Sequence, residues 1–197
     1  MREYIPYICF GPKLPRTTPP TEYIGSVIST PIGEILCVYE EKTIVALALT
    51  EEVGLSQAMH KLHRSFERIT LKKNASFPFE DTRNAIRSFL KACCSQSFLA
   101  RGTPFQIRVW QTLTEIRFAE HCSYSVLAAK AGFPRAVRAV ASAVAANPLA
   151  VVVPCHRIIH KNGTLGAFGW GPKTKEKLLV LEQRVKQTNW KRSGNCN

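Results

Sequence analysis

The residues best suited by type and spacing to do chemistry are Cys155, His156 and Arg157, near the end of the run PLAVVVPCHRIIH from Pro148 to His160. A thiol attacks as thiolate, so an adjacent imidazole that takes its proton and nearby cations that favour the anion both activate it. The apolar residues before it read as a strand-like run that delivers the chain to Pro154, whose missing N–H ends any ladder there. Cys155 is therefore expected at the edge of a rigid apolar element with a base beside it. On these residues alone the thiol could be a nucleophile or a buried structural cysteine. A hydrolase would also need an acyl site and an oxyanion hole, and no motif announces either.

Other reactive groups form no comparable cluster. The seven cysteines, at 9, 37, 93, 94, 122, 155 and 196, are an odd set without the repeated close pairs of a zinc ribbon or finger. Reduced thiols in an intracellular compartment fit this usage. Adjacent Cys93 and Cys94 read as filler in a patterned helix, and His60 and His63 as surface or boundary histidines without acidic or thiol companions. No metal site is expected. Neither a Walker motif nor a dinucleotide fingerprint occurs.

The elements that must position the thiol come just before it. Ser123 to Ala131 (SYSVLAAKA) reads as a helix stopped by Gly132, Phe133 and Pro134 as a short turn, and Arg135 to Ala146 (RAVRAVASAVAA) as a second helix broken by Asn147-Pro148. Two short helices around such a turn are the arrangement that sets a second helix into a DNA groove, although many helical hairpins share it. Alanine at 136, 139, 141, 143, 145 and 146 would let backbone approach a groove, while Val137, Val140 and Val144 face a core. Arg138 could fill the gap left when a base is rotated out of the duplex, or simply contact a phosphate.

Charge points the same way. The chain of 197 residues carries a net +13; residues Met1 to Ala100 hold 12 basic and 10 acidic residues, so +11 of the surplus lies in Arg101 to Asn197. A basic surface gains free energy by releasing counterions from nucleic acid. The charge shift near Leu99 suggests two domains. Residues 1–20, with five prolines, read as an extended lead rather than a folded element. Residues 21–99 hold three strands (YIGSVIS, EILCVYE, TIVALAL) forming a small antiparallel sheet, and two helices, about Val53 to Phe66 and Asp81 to Cys94. In 100–187, Thr103 caps a helix with Pro104 at its first position and Val109, Trp110, Leu113 and Ile116 as its buried stripe. Lys173 to Val185 is a last amphipathic helix, and 188–197 a tail. No apolar run reaches the roughly 18 residues of a membrane span, and no secretory signal opens the chain.

Asn147, Pro148 and the PCHR turn, together with GTPFQIRVW, SYSVLA and RAVRAVASAVAANP upstream and GTLGAFGWG and KLLVLE downstream, closely resemble the O6-alkylguanine-DNA alkyltransferases from about Arg101 to Glu182. Within that family the RAVASAVAAN and FGWG segments look most like the carboxy-terminal repair domain of bacterial adaptive-response proteins, whose zinc-binding regulatory half has no counterpart here. The resemblance implies an α/β fold: a small ribonuclease-H-like α/β domain followed by a mostly helical, winged-helix-like domain with the helix-turn-helix. It implies direct, irreversible alkyl transfer from O6-alkylguanine in double-stranded DNA to Cys155, once per molecule, with O4-alkylthymine left open.

By the same resemblance His156 is the water-linked base, Glu182 the carboxylate that orients it, and Asn147 the brace of the turn. Tyr124 crowds a phosphate or the flipped base, Arg138 fills the stack, and Arg135 and Ala136 line the DNA-facing helix. Tyr124, Val153, Pro154, Phe168 and Gly169 form the guanine pocket. No cofactor, a monomer, no membrane, and a cytoplasmic site in a bacterial host or a nuclear one in a eukaryote are implied. Without the family, Glu182 would pass for a solvated helix charge. Two departures stand out: Phe168 replaces the usual tyrosine, and Arg117-Phe118-Ala119-Glu120-His121 replaces a Pro-x-Gly turn. A transcription factor using the same helices would need neither PCHR nor Glu182, and relatives that only bind lesions lack the cysteine.

Overall fold

The β-branched runs of the first half pair where their patterning places them. The computed structural model describes residues 6–13, 22–63, 65–66, 68–72, 89–91 and 93–193. Strands β1 (Ile8–Pro12), β2 (Glu22–Thr30), β3 (Gly33–Glu40), β4 (Thr43–Leu49), β5 (Arg68–Leu71) and β6 (Ser97–Gly102) form one sheet in the order β1-β6-β4-β3-β2-β5. β2, β3 and β4 make the expected antiparallel meander, with Ile28 opposite Ile35 and Leu36 opposite Ala48. Ile35–Val38 and Ile44–Leu49 are buried without alternation, as strands covered on both faces should be.

The sheet is larger and more mixed than the sequence suggested. β5 pairs parallel to β2, and β6 parallel to β4 and to β1. Within the proline-rich lead, Ile8–Pro12 is extended but not outside the fold, since it is hydrogen-bonded along β6. β6 itself straddles the anticipated boundary near Leu99. Helix α1 (Leu55–Leu62) is shorter than anticipated, starting only after Gly54, while Phe66 beyond it packs edge-on against Tyr23 at 5.0 Å between ring centres. The expected helix over Asp81 to Cys94 lies mostly outside the described residues; Phe89, Leu90 and Cys93 at its end are buried.

The second half is built on helix α2 (Pro104–Thr114). Its first turn is closed by a reciprocal pair, the Thr103 hydroxyl accepting from Gln106 N and the Gln106 side chain from Thr103 N, with Pro104 where no N–H is needed. Val109, Trp110, Leu113 and Ile116 are buried as expected, each contributing about 1.5–3 kcal/mol of apolar burial. Trp110 Nε1 donates to Ala143 O at 2.8 Å, joining this helix to the helix-turn-helix.

That element consists of α3 (Tyr124–Lys130), capped by the Ser123 hydroxyl, and α4 (Val137–Ala145). Gly132 between them has φ +89°, a conformation glycine adopts without Cβ strain. Arg108 Nε reaches Ala131 O at the end of α3. Strand β7 (Cys122–Ser123) pairs parallel with β8 (Ile158–Ile159), and α5 (Pro172–Ser193) closes the chain, running past Val185 into the presumed tail. Apolar side chains of both halves form one continuous core, and no helix of the described residues is long and apolar enough to cross a membrane.

Candidate active site

The segment before Cys155 is a tight buried loop, not the strand expected from its apolar run. β6 leaves β4 after Ile44, and the chain at Pro148 takes the place beside it: Leu47 N donates to Pro148 O at 2.8 Å and Ala150 N to Leu47 O at 3.1 Å. The loop then folds back on itself, with Val153 N donating to Leu149 O and Val151 held at φ +71°. A β-branched residue in the left-handed region is strained, and such strain persists only where surrounding structure dictates it. The amino-terminal sheet thus supplies the shelf on which the reactive turn rests.

Asn147 supplies the rest of the constraint. Its Oδ1 accepts from Leu149 N at 3.0 Å, and its Nδ2 donates to Val153 O at 2.9 Å and Cys155 Sγ at 3.1 Å, with Leu149 O farther at 3.4 Å. One buried amide therefore spans both ends of the loop and touches the thiol. Cys155, His156 and Arg157 follow as a single 3-10 turn, all buried.

His156 Nε2 lies 3.0 Å from Glu182 Oε1, both side chains fully buried. Burial alone would raise the Glu182 pKa, but the His156 hydrogen bond and charge and the Arg157 guanidinium bring it down to about 2. An ionised carboxylate only accepts, so Nε2 carries the ring proton and Nδ1 is left as an acceptor. Nδ1 is buried and has no hydrogen-bond partner among the described residues. Burial, abetted by Arg157 and Lys175, lowers the His156 pKa and keeps the ring neutral, the form that can take a proton.

Arg157 does not serve the thiol as the sequence suggested. Its Nε donates to both Glu182 oxygens at 3.1 Å, its Nη2 to Oε1 at 2.8 Å and its Nη1 to Ile116 O at 2.6 Å, with the guanidinium 5.6 Å from the Phe118 ring centre. Glu182 Oε2 also accepts from Ala119 N at 2.9 Å, and Gln183 Nε2 donates to Ala119 O. Ala119 has φ +58°. The unusual Arg117 to His121 connection therefore has a physical role: it docks one peptide group on the Glu182 carboxylate, at a left-handed position.

The cation that does bear on Cys155 is Lys175, which sequence reasoning missed. It is 1% exposed and donates to Leu165 O. Its neighbours on the same helical stripe, Leu178, Glu182 and Val185, are buried too. A lysine on that stripe was the available signal. Burial raises the Cys155 pKa, opposed by the Asn147 hydrogen bond and the Lys175 charge. The setting thus holds a thiol rather than the expected thiolate until a base acts.

The remaining expected residues are arranged around this centre. Tyr124 is half-buried, which raises its hydroxyl pKa, and lies 5.8 Å from the His160 ring centre. Val153 and Pro154 are buried against Cys155, while Phe168 and Gly169 sit half-buried in the loop before α5. Arg138 and Ala139 are exposed on α4, but Arg135 and Ala136 precede its first residue, Ala136 being the cap rather than part of the helix. His60 and His63 are exposed on α1, as expected.

Residues 104–184 match the family description "6-O-methylguanine DNA methyltransferase, DNA binding domain". The Escherichia coli bifunctional transcriptional activator/DNA repair enzyme Ada is 53% identical over 82 residues, 42% of this chain and 23% of that protein. The chain thus spans about a quarter of that relative's length. A Salmonella typhimurium methylated-DNA–protein-cysteine methyltransferase is 34% identical over 159 residues, covering 79% of this chain and 92% of that one. Among solved structures, Mycobacterium tuberculosis OGT in complex with DNA matches with a TM-score of 0.57 and 30% identity, over 83% of this chain and 93% of that chain.

Proposed function

We propose, from the premise that this chain belongs to the methylated-DNA–protein-cysteine methyltransferase family, that it repairs O6-alkylguanine in duplex DNA by moving the alkyl group irreversibly to Cys155. The observation that carries this is the buried His156 ring, whose Nε2 is committed to Glu182 and whose Nδ1 is left to accept a proton within the turn that holds the thiol.

The thiol proton passes through a water to His156 Nδ1, and the imidazolium so formed is stabilised by Glu182. Sγ then attacks the alkyl carbon in line with the C–O6 bond. That bond breaks, its electron pair goes to guanine O6, and the proton borrowed by His156 returns to the leaving base. A thioether does not hydrolyse, so each molecule acts once. Asn147 steadies the developing thiolate through Nδ2, and Lys175 adds a buried positive charge.

On this reading α4 lies against DNA, with Arg135 and Ala136 at its leading edge and Arg138 entering the stack as the lesion is extruded. Tyr124, Val153, Pro154, Phe168 and Gly169 enclose the flipped base. The family-level division into a ribonuclease-H-like unit, 21–99, and a winged-helix-like unit, 100–187, acting as a monomer, belongs to the same reading; the antiparallel β2-β3-β4 meander and the helix-turn-helix support it. Removal of O6-methylguanine from duplex DNA by wild type but not by Cys155→Ser tests the proposal, and removal by both would contradict it.

A further inference from the structure

Side chains from the amino-terminal half grip the loop and helix that enclose the lesion. Glu52 Oε2 accepts from Thr174 N at 2.8 Å and Thr174 Oγ1 at 3.0 Å, so a carboxylate distant in sequence caps the first turn of α5, where helix N–H groups lack partners. The backbone hydrogen bond from Thr174 lowers the Glu52 pKa and keeps it ionised for this role. Gly171 has φ +98°, which side-chain-bearing residues rarely adopt, and a Cβ there would push the Glu52 carboxylate off this cap. Lys61, from α1, donates to Gly169 O and stands 5.3 Å from the Trp170 ring centre. A third contact, Lys177 with Glu51 at 2.7 Å, is exposed and adds little.

These contacts fall on the stretch that leads from Phe168 and Gly169 into the helix bearing Lys175 and Glu182. We propose that Glu52 and Lys61 are positioning residues that fix this wall of the pocket, so that the amino-terminal half governs which alkyl groups reach Cys155. The inference rests on the alkyl-transfer reading of Cys155. A benzyl group is far larger than a methyl group and depends on more of the wall, so a released wall penalises the larger group more.

The test compares single-turnover rates on duplex DNA carrying O6-methylguanine or O6-benzylguanine for wild type, Glu52→Ala, Lys61→Met and the conservative Glu52→Gln and Lys61→Arg, with thermal melting on each. Misplacing a reactive contact by a fraction of an ångström costs rate steeply, so the benzyl-to-methyl rate ratio is expected to fall about tenfold in Glu52→Ala and Lys61→Met. It should recover in the conservative pair. Rates that fall in step, an unchanged ratio, or variants that unfold assign the contacts to stability alone and overturn the proposal. Failure of wild type to transfer methyl would instead overturn the reading of Cys155.

Discussion

Arg157 and Glu182 are joined twice inside the protein, Nε and Nη2 of the guanidinium both donating to one carboxylate that is 0% exposed. The pair holds the third partner, His156, in the tautomer that leaves Nδ1 open to a proton, so in the proposed mechanism a contact that looks structural prepares the base.

Removing the carboxylate should therefore cost stability and reactivity together. Glu182→Ala leaves a buried guanidinium without its counter-ion, and the loss is expected at about 3–5 kcal/mol by urea denaturation. Glu182→Gln, which keeps shape and one acceptor, should lose less stability but still slow alkyl transfer. A loss below about 1 kcal/mol for the alanine variant would mean that Arg157 finds other partners.

Asn147→Ala strips both ends of the loop of hydrogen bonds and leaves buried backbone groups of Leu149 and Val153 poorer by one partner each. The expected loss is about 1–3 kcal/mol. It should also slow alkylation of Cys155 by iodoacetamide near neutral pH, because the Nδ2 contact favours thiolate. An unchanged pH profile for that alkylation would show that the amide only shapes the loop.

Acid should destabilise the protein in two stages. The His156 pKa is lowered in the fold, so the unfolded chain binds the proton more readily, and the contribution of the neutral buried ring is lost as pH falls below its ordinary 6.5. Glu182, brought down from 4.5 to about 2, contributes stability that is full above 4.5 and lost as pH falls toward 2. Melting temperature against pH should decline in both windows in wild type, and Glu182→Gln should remove the lower one. A flat profile between pH 7 and 3 would contradict both assignments.

Arg138→Ala should separate extrusion from chemistry. Repair in duplex DNA is expected to slow far more than reaction with free O6-benzylguanine, which needs no base flipping. Equal slowing would place Arg138 elsewhere than in the stack.

The sequence revealed the meander, the capped helix at Thr103 and the turn at Gly132, because local patterning and cap chemistry decide each of them. β1 and β6 were hidden because their pairing is non-local: a proline-rich segment reads as a lead until a strand some ninety residues later is found beside it. The apolar run before Cys155 resembled a strand for the same reason. Only the vacant position beside Leu47 and the Asn147 amide fold it into a loop. Within the candidate site, Cys155 and His156 stand out in the sequence by residue type and adjacency. Glu182 needed the family resemblance, since a carboxylate on a helix rich in charges reads as solvated. Glu52 and Lys61 touch distant backbone, which no spacing rule announces, whereas Lys175 is marked by its place on the buried stripe of α5.

The most direct measurement is mass analysis of the Cys155 peptide after the folded protein meets excess duplex DNA carrying isotopically labelled O6-methylguanine. One labelled methyl group on Cys155 per chain is expected, with the reaction stopping there and no label on the peptide of Cys155→Ser. Repair without label on Cys155, or repair continuing beyond one lesion per chain, would contradict it.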